Sequence, residues 1–335
     1  MSPKAAARIA REAATQSFDN AARALNIDWG MEWDGKQIQR WAEALGQTLV
    51  DIRDKELKAF KKGILPACKA NEHELLVIGM DGGRVQTREK SQETGSRWKE
   101  DKVLTITSCL KGDGKEKPPE KLVSTFVATM EDARAFAPLA RMEAERRGIR
   151  NAVEVIGIHD GGNWIDPLWE ERFGCHARIL DYYHAVEHLN DSAKAVFPAN
   201  TQQAGILGKD LETMLWEGKT DLLLARLGEL SAQAGEPCEN DPASHPRKVL
   251  AQNVGYFQKH RDQIDYPTYR AKGWPIGSGI TESGVKLFGK RVKGTEQFWN
   301  VTGAETILAL RSKWLSEDQE SKYYWLGQGF KTMAA

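Results

Sequence analysis

Cysteine is scarce in this chain, and its cysteines are too scattered to form a recognisable motif. The four residues, Cys68, Cys109, Cys175 and Cys238, lie far apart and show no C-x-x-C spacing. This distribution argues against a zinc site and against a disulfide framework. It suits a reducing compartment, so we expect the protein to be cytoplasmic.

Long apolar runs and a net charge are missing as well. No apolar run approaches the length of a membrane-spanning helix. The N-terminal MSPKAAARIAREAATQ lacks the apolar region of a secretory signal, so we expect neither export nor a membrane partner. The 47 basic and 47 acidic residues cancel, which counts against a bulk nucleic-acid binder but allows local basic patches.

The N-terminal region, residues 1–70, is predicted to be helical. Its segments SFDNAARALNI and DGKQIQRWAEALGQTL both space their apolar residues as helices do. Two short helices around a tight connection are typical of a helix-turn-helix, although any helical hairpin has the same pattern. On the first interpretation the second helix contacts DNA through Lys36, Gln37, Gln39 and Arg40.

The remainder divides into a sheet-containing core and a helical insertion. Residues 71–197 are predicted to begin the core with three neighbouring strands, followed by helix, strand, helix and strand. Residues 198–272 are predicted to be amphipathic helices inserted into it. Residues 273–335 then complete the core with a Gly-rich turn and two helices. This order predicts an α/β fold, with a mixed sheet covered by helices on both faces.

Two similar segments, ELLVIGMDGGRV and VEVIGIHDGGNW, place an aspartate after an apolar strand. Asp81 and Asp160 are therefore predicted at the carboxyl ends of two strands, where open sheets bind ligands. Glu282, in GSGITESG, is predicted on the first turn of a helix capped by Ser278 or Thr281. Carboxylates brought together repel unless a cation neutralises them. The three acids therefore predict a site for two Mg²⁺ or Mn²⁺ ions, roughly 4 Å apart.

Each of these acids also has a purely structural interpretation. Asp-Gly-Gly is a common turn, and a lone example is usually structural. Glu282 alone would pass for a capping-box or surface glutamate. Two Asp-Gly-Gly segments at strand ends, together with GSGITES, favour the functional interpretation.

Taken together, MDGGR, HDGGNW, DYYHAVEHL and PIGSGITESG resemble motifs of bacterial insertion-sequence DDE transposases, most like the ISKra group. The resemblance covers roughly residues 74–313, plus the helical stretch before them. It implies a ribonuclease H-like fold, with Asp81, Asp160 and Glu282 as catalytic and metal-binding triad. It also implies cleavage and transfer of DNA at element ends. The expected partners are double-stranded element ends and target, bound by a homo-oligomer in the bacterial, nucleoid-associated cytoplasm.

Further residues are expected near this site. The D-x-x-H of Asp181 and His184 is similar to a motif in Mutator-like relatives. Trp164 and Trp274 flank the proposed site; core packing is favoured for both, with stacking on a flipped base as the alternative. His188 stands four residues after His184, a spacing that suits metal ligands, although packing or supporting hydrogen bonds are favoured.

A basic run follows the predicted glutamate. It is expected either to contact DNA phosphates or to be an ordinary solvated face, and comprises Lys286, Lys290, Arg291 and Lys293.

Two alternatives to a transposase remain from the sequence. Relatives of the resembled group commonly carry more N-terminal sequence, often with cysteine pairs, which predicts a shortened copy. Such a copy would be a non-catalytic DNA-binding derivative acting as a repressor. The second alternative is a hydrolytic nuclease of the same fold. The intact set of three carboxylates favours a catalytic protein.

Overall fold

In the computed structural model, helices pack on both faces of one mixed sheet. The described residues are 2–65, 73–91, 94–114, 117–162, 164–165, 168–169, 173–294 and 297–326. The predicted boundary between residues 70 and 71, and most of the helix predicted around PLWEERF, lie outside these ranges.

Residues 2–65 form three helices, α1 (Pro3–Thr15), α2 (Phe18–Trp29) and α3 (Gly35–Lys61). Ser17 caps α2, and Asp34 caps α3 through a reciprocal capping box with Gln37.

Within the described ranges, the sheet has five strands in the order β3-β2-β1-β4-β5. Strand β1 pairs antiparallel with β2 and parallel with β4. Strand β2 also pairs antiparallel with β3, and β4 pairs parallel with β5. The predicted mixed α/β sheet is therefore confirmed. The strands are β1 (His73–Gln86), β2 (Trp98–Leu110), β3 (Glu120–Thr129), β4 (Ala152–His159) and β5 (Ala177–Leu180).

Nine α-helices follow β3 in the described part of the chain. The first, α4 (Ala133–Arg146), connects β3 to β4, and the second, α5 (Tyr182–Val196), follows β5. The stretch predicted as an insertion contains α6 (Thr201–Trp216), α7 (Thr220–Ala234), α8 (Pro246–Lys259) and α9 (Tyr266–Ala271). The chain then continues through α10 (Gly279–Val292), α11 (Val301–Leu315) and α12 (Gln319–Trp325). In the described part of the chain, no helix is both long and apolar enough to span a membrane.

Helices cover both faces of the sheet, because alternate residues of a strand point to opposite faces. Leu76 and Ile78 of β1 belong to a hydrophobic cluster with Phe136 of α4. Their neighbours Leu75 and Val77 belong to another cluster, which the insertion helices share. The helices of this stretch are thus packed onto the sheet and help to build its core.

The N-terminal helices also belong to the main core. Ile9 of α1 and Ile38 of α3 are fully buried in a cluster with Val103 of β2, Phe126 of β3 and Leu308 of α11. The N-terminal helices therefore share a hydrophobic core with the sheet. Their apolar faces are buried against the sheet and α11 rather than against one another alone.

Candidate active site

Strand register brings the two aspartates side by side. The parallel pairing of β1 and β4 matches Val77 with Ile156 and ends where Gly79 meets Ile158. Asp81 and Asp160 each lie two residues beyond this last pair, so the register places them side by side. The aspartates therefore lie just beyond the last paired residues of two parallel strands.

The sequence predicted that Asp81 ends its strand, but the strand continues beyond it. The antiparallel pairing of β1 with β2 continues through Asp81 and both following glycines to Gln86. The Asp-Gly-Gly segment is extended because its backbone is paired with β2. Only the parallel partner leaves at this point. In contrast, β4 does end at His159, immediately before Asp160.

Helix α10 places Glu282 on the same side of β1 as Asp81. Gly79 and Asp81 share a strand face, and a Cβ on Gly79 would lie only 1.8 Å from Thr281 Oγ1. The missing side chain thus permits α10 to touch the strand. A hydrogen bond between the hydroxyls of Thr105 and Thr281, 2.7 Å long, fixes this contact. Glu282 follows Thr281 on the first turn.

Asp181 connects the start of α5 to the loop before α10. Its carboxylate is fully buried, and Oδ1 accepts a 2.8 Å hydrogen bond from the His184 backbone N–H. Oδ2 accepts a short hydrogen bond from the Ser278 backbone N–H. Ser278 is the residue before α10, so Asp181 fixes the point from which the helix of Glu282 begins.

Tyr256 of α8 supports Asp160, a role that the sequence analysis missed. Its hydroxyl donates a 2.8 Å hydrogen bond to the Asp160 carbonyl. Gly161 adopts φ +91°, and a Cβ there would lie 2.7 Å from the Tyr256 ring. The inserted helices therefore hold the backbone of the second aspartate. No local motif announces this contact, since the two residues are far apart in sequence.

The three carboxylates line one cavity of about 200 Å³. Its wall is completed by polar and titratable groups, together with Met80. Those groups are His159, His184, Glu187, Ser278 and Thr281.

Burial and like charge disfavour ionisation at this site. Burial, followed by the nearby Asp160 carboxylate, raises the pKa of Asp81 to about 6. Glu282 contributes in the same direction, and the Gly82 backbone N–H opposes it by donating to the Asp81 carboxylate. The three acids thus interact electrostatically, as residues of a single site do.

A divalent cation fits the donor types but not the present arrangement of side chains. The described residues contain no group of three His, Cys, Asp or Glu side chains already placed around a common metal position. Asp160 Oδ1 accepts from the Gly162 backbone N–H at 2.9 Å. The Glu282 carboxylate is held by Lys286 at 3.1 Å and by the Ser278 hydroxyl at 3.3 Å. For Glu282 to join the aspartates as a ligand, its carboxylate would have to leave Lys286. Oxygen ligands of this kind suit Mg²⁺ or Mn²⁺.

Comparisons with known proteins give little further information. No family model matches the chain, and no curated protein does. Among solved structures, a Drosophila P element transposase strand transfer complex is similar, with 11% sequence identity and a TM-score of 0.30. The similarity covers 74% of this chain and 78% of that chain. At this level of structural overlap, the similarity does not assign a function.

The two histidines of DYYHAVEHL differ in position. His184 lines the cavity, and its Nδ1 lies 3.4 Å from the Glu187 carboxylate. His188 is packed away from it, stacked on Tyr256 with ring centroids 4.0 Å apart and bonded to Asn253 at 2.8 Å.

Trp164 and Trp274 were predicted to flank the site, but neither is among the residues that line the cavity. Trp164 packs edge-on against Phe136, and the Lys102 ammonium lies 4.4 Å from its ring centroid. Trp274 is buried and donates a 2.6 Å hydrogen bond to Glu154, near the opposite end of β4. Trp274 is therefore held in the core by packing.

The basic run separates into three exposed lysines and one buried arginine. Lys286, Lys290 and Lys293 are exposed, whereas Arg291 is 2% exposed. For Arg291 the alternative of an ordinary solvated face is therefore wrong, because the side chain is buried. Helical spacing contained the signal, because Arg291 continues the buried stripe of α10, which comprises Thr281, Gly284 and Phe288.

The four predicted DNA contacts of α3 lie near its first turns. Lys36, Gln37 and Arg40 are exposed, and Gln39 is half-buried. Two of these side chains already have partners in the chain. Gln37 accepts from the Asp34 backbone N–H at 3.0 Å, and Gln39 donates to Glu43 at 2.8 Å.

Proposed function

We propose that the protein is a DDE transposase that cleaves and joins DNA at the ends of an insertion sequence. On this proposal the five-stranded sheet is a ribonuclease H-like core. The main supporting observation is that Asp81, Asp160 and Glu282, from three separate segments, line one cavity and interact electrostatically. The DDE-like motifs predicted this set of residues.

The chain's own groups provide position and charge. Asp81 and Asp160 present carboxylate oxygens at the end of the parallel pair, and Glu282 approaches them from α10. Bound divalent cations would activate a water or a DNA 3′-hydroxyl and neutralise charge on the leaving oxygen. In-line attack of this kind needs no covalent protein intermediate, so no Ser, Tyr or Cys nucleophile is assigned.

The lysines of α10 provide a path for DNA towards this cavity. Lys286 lies one turn beyond Glu282 and is bonded to it, while Lys290 extends the same face by another turn. A DNA phosphate would replace Glu282 as the partner of Lys286. That exchange would free the glutamate to turn towards the aspartates.

The N-terminal residues provide a second candidate contact with DNA. Lys36 and Arg40 are exposed on α3, and we expect them to lie against the duplex. Arg40 is the stronger candidate for base reading. Gln39, by contrast, would first have to release Glu43.

The test is incubation of the purified protein with the flanking ends of its own element and Mg²⁺. Nicks at the ends together with joined products are expected. Nicks without joining would identify a hydrolytic nuclease, and sequence-specific binding without either product would identify a repressor-like derivative. Glu187→Gln is the matched control, because Glu187 lines the cavity outside the proposed triad. Cleavage that persists in Asp160→Ala would overturn the mechanism.

A further inference from the structure

A second and larger cavity lies between the N-terminal helices and the segment before α11. Its volume is about 420 Å³, and it shares no lining residue with the carboxylate cavity. We call it the arginine cavity because Arg291 lines it. The starts of α2 and α3 border it through Phe18 and Lys36, and Asn300 brings the start of α11 to the same place.

Arg291 is buried in this wall with part of its hydrogen-bonding capacity unused. Its Nε donates a 2.6 Å hydrogen bond to the Ala13 carbonyl. The guanidinium carbon lies 4.6 Å from the Phe18 ring centroid and 5.1 Å from that of Trp299. Both rings also line the cavity. Its Nη2 is buried and has no hydrogen-bond partner among the described residues.

The positive charge of Arg291 also lacks a carboxylate partner within the described ranges. Arg311 is close and also buried, but it donates to the carbonyls of Ala14 and Leu287. Glu43 lines the cavity and accepts from Gln39 rather than from Arg291. Two buried guanidinium groups without an acidic partner are costly, because desolvation is not offset by an ion pair. An anion entering the cavity would remove part of that cost.

The remaining wall shows which anion would fit. Lys36 and Arg88 bring two exposed positive charges to the cavity. Together with Arg291 they outnumber the two carboxylates of the wall, Asp19 and Glu43.

Phe298 is 40% exposed, and its ring offers an aromatic surface beside the Arg97 guanidinium, which lies 5.7 Å from the ring centroid. Gln297 has a buried side-chain oxygen without a partner among the described residues. An N–H donor on a ligand would supply the hydrogen bond that this oxygen lacks.

We propose that the arginine cavity binds the phosphate of a nucleotide unit. The phosphate is held by Arg291, Lys36 and Arg88, and the base lies against Phe298. This unit belongs either to a DNA strand or to a free nucleotide, which offer the same chemistry. The inference does not rest on catalysis by the carboxylate cavity.

The test is calorimetric titration with deoxyadenosine monophosphate, inorganic phosphate and deoxyadenosine. The monophosphate is expected to bind more tightly than phosphate, and the nucleoside should give no measurable heat. Lys36→Gln and Arg88→Gln should each weaken binding about tenfold, because each removes a charge-assisted contact. Lys55→Gln, at an exposed position on the same helix as Lys36, should bind like the wild type.

Arg291→Met is expected to abolish binding, with thermal unfolding as the check that the variant is folded. Should it fail to fold, the two exposed positions still decide the matter. No binding of the monophosphate to the wild type, or equal binding by Lys36→Gln and Arg88→Gln, would overturn the proposal.

A competition experiment identifies the source of the phosphate. An oligonucleotide that displaces the monophosphate assigns the cavity to a DNA strand, and one that leaves it bound assigns it to a free nucleotide. Asp160→Ala should bind the monophosphate like the wild type. Loss of activity at the carboxylate cavity would thus leave binding of the monophosphate unchanged. One proposal can therefore be refuted without refuting the other.

Discussion

The carboxylate cavity and the arginine cavity bury charge of opposite sign with the same physical consequence. Burial raises the pKa of Asp81 to about 6, and burial lowers the pKa of Arg291 to about 10. In both cases the neutral form gains, because a desolvated charge is unfavourable. In both, a neighbour of like charge contributes further: Asp160 for the aspartate, and Arg311 for the arginine.

The two cavities differ in how far the protein itself compensates the charge. Lys286 already pairs with Glu282, and backbone N–H groups donate to both aspartates. At the arginine cavity, backbone carbonyls accept some of the hydrogen bonds, but no described carboxylate pairs with either buried guanidinium. The comparison predicts a cation ligand for the carboxylate cavity and an anion ligand for the arginine cavity. Substitutions in one cavity should leave ligand binding at the other unchanged.

The largest effect is expected from removing one carboxylate of the proposed triad. Asp81→Ala, Asp160→Ala or Glu282→Ala should lower DNA cleavage by several orders of magnitude, because the metal ligands are lost. DNA binding should change little, and nucleotide binding at the arginine cavity should not change. Ca²⁺ should support binding but little cleavage, since its coordination is larger and looser. Gel assays of binding and cleavage on one substrate check this, and full activity of any variant contradicts it.

Gly79→Ala should disturb the carboxylate cavity without touching any acid. The new Cβ would lie 1.8 Å from Thr281 Oγ1, so α10 must move away from β1. We expect a loss of about 1–3 kcal/mol in unfolding free energy, as for other overpacked contacts, and weaker metal binding.

The matched control for Gly79→Ala is Gly228→Ala on α7, where an added Cβ meets nothing within 4 Å. Denaturant unfolding and Mn²⁺ titration of both variants separate the close approach from a general effect of removing glycine. Equal behaviour of the two variants would show that contact between α10 and β1 does not matter.

Asp101 distinguishes burial alone from burial at a ligand site. It lies in β2 outside both cavities, is 2% exposed, and has a pKa raised to about 6, mainly by burial. Its folded pKa lies above the unfolded value of 3.8. Its contribution to stability is therefore present below that value and is lost as the pH rises through about 6.

Asp101→Asn should accordingly stabilise the protein at pH 8 relative to the wild type, by about 1–3 kcal/mol, and much less near pH 4. Mg²⁺ should not alter this difference. For Asp81→Asn, the same gain should shrink when Mg²⁺ is added, because the ion stabilises only the wild-type carboxylates. Chemical unfolding at the two pH values, with and without Mg²⁺, makes the comparison. A gain for Asp101→Asn that is equal at both pH values would refute the assignment of burial as its cause.

The smallest effect is expected at the exposed lysines. Lys286→Ala/Lys290→Ala should weaken binding of unrelated duplexes about equally, because phosphate contacts do not read sequence. It should also flatten the log-log salt dependence by roughly 0.9 per lost contact. Lys55→Ala/Lys58→Ala, two exposed lysines of α3, provide the control. An unchanged slope would remove α10 from the DNA path.

The sequence predicted the three carboxylates of the cavity because they stand at recognisable places. Asp81 and Asp160 follow apolar strand segments, and Glu282 follows a Gly-rich turn. Strand order and register then bring them together. The continuation of β1 beyond Asp81 was not predictable from this pattern, since it depends on pairing with β2.

Contacts between distant segments could not be predicted. The hydrogen bond from Tyr256 to the Asp160 carbonyl depends on how the insertion packs. The burial of Arg291 was predictable in part, because its place in the buried stripe of α10 is visible in the helical spacing. Its contacts with Phe18 and Trp299 were not predictable, since these rings come from α2 and from the segment before α11.

The most direct test of the central claim is a titration with Mn²⁺, followed through the electron paramagnetic resonance signal of the free ion. The wild type and Glu187→Gln are predicted to bind about two ions per chain at the carboxylate cavity. Asp81→Ala/Asp160→Ala is predicted to lose both while remaining folded. Equal binding of Mn²⁺ by the double variant and the wild type would contradict the assignment of these carboxylates as a metal site.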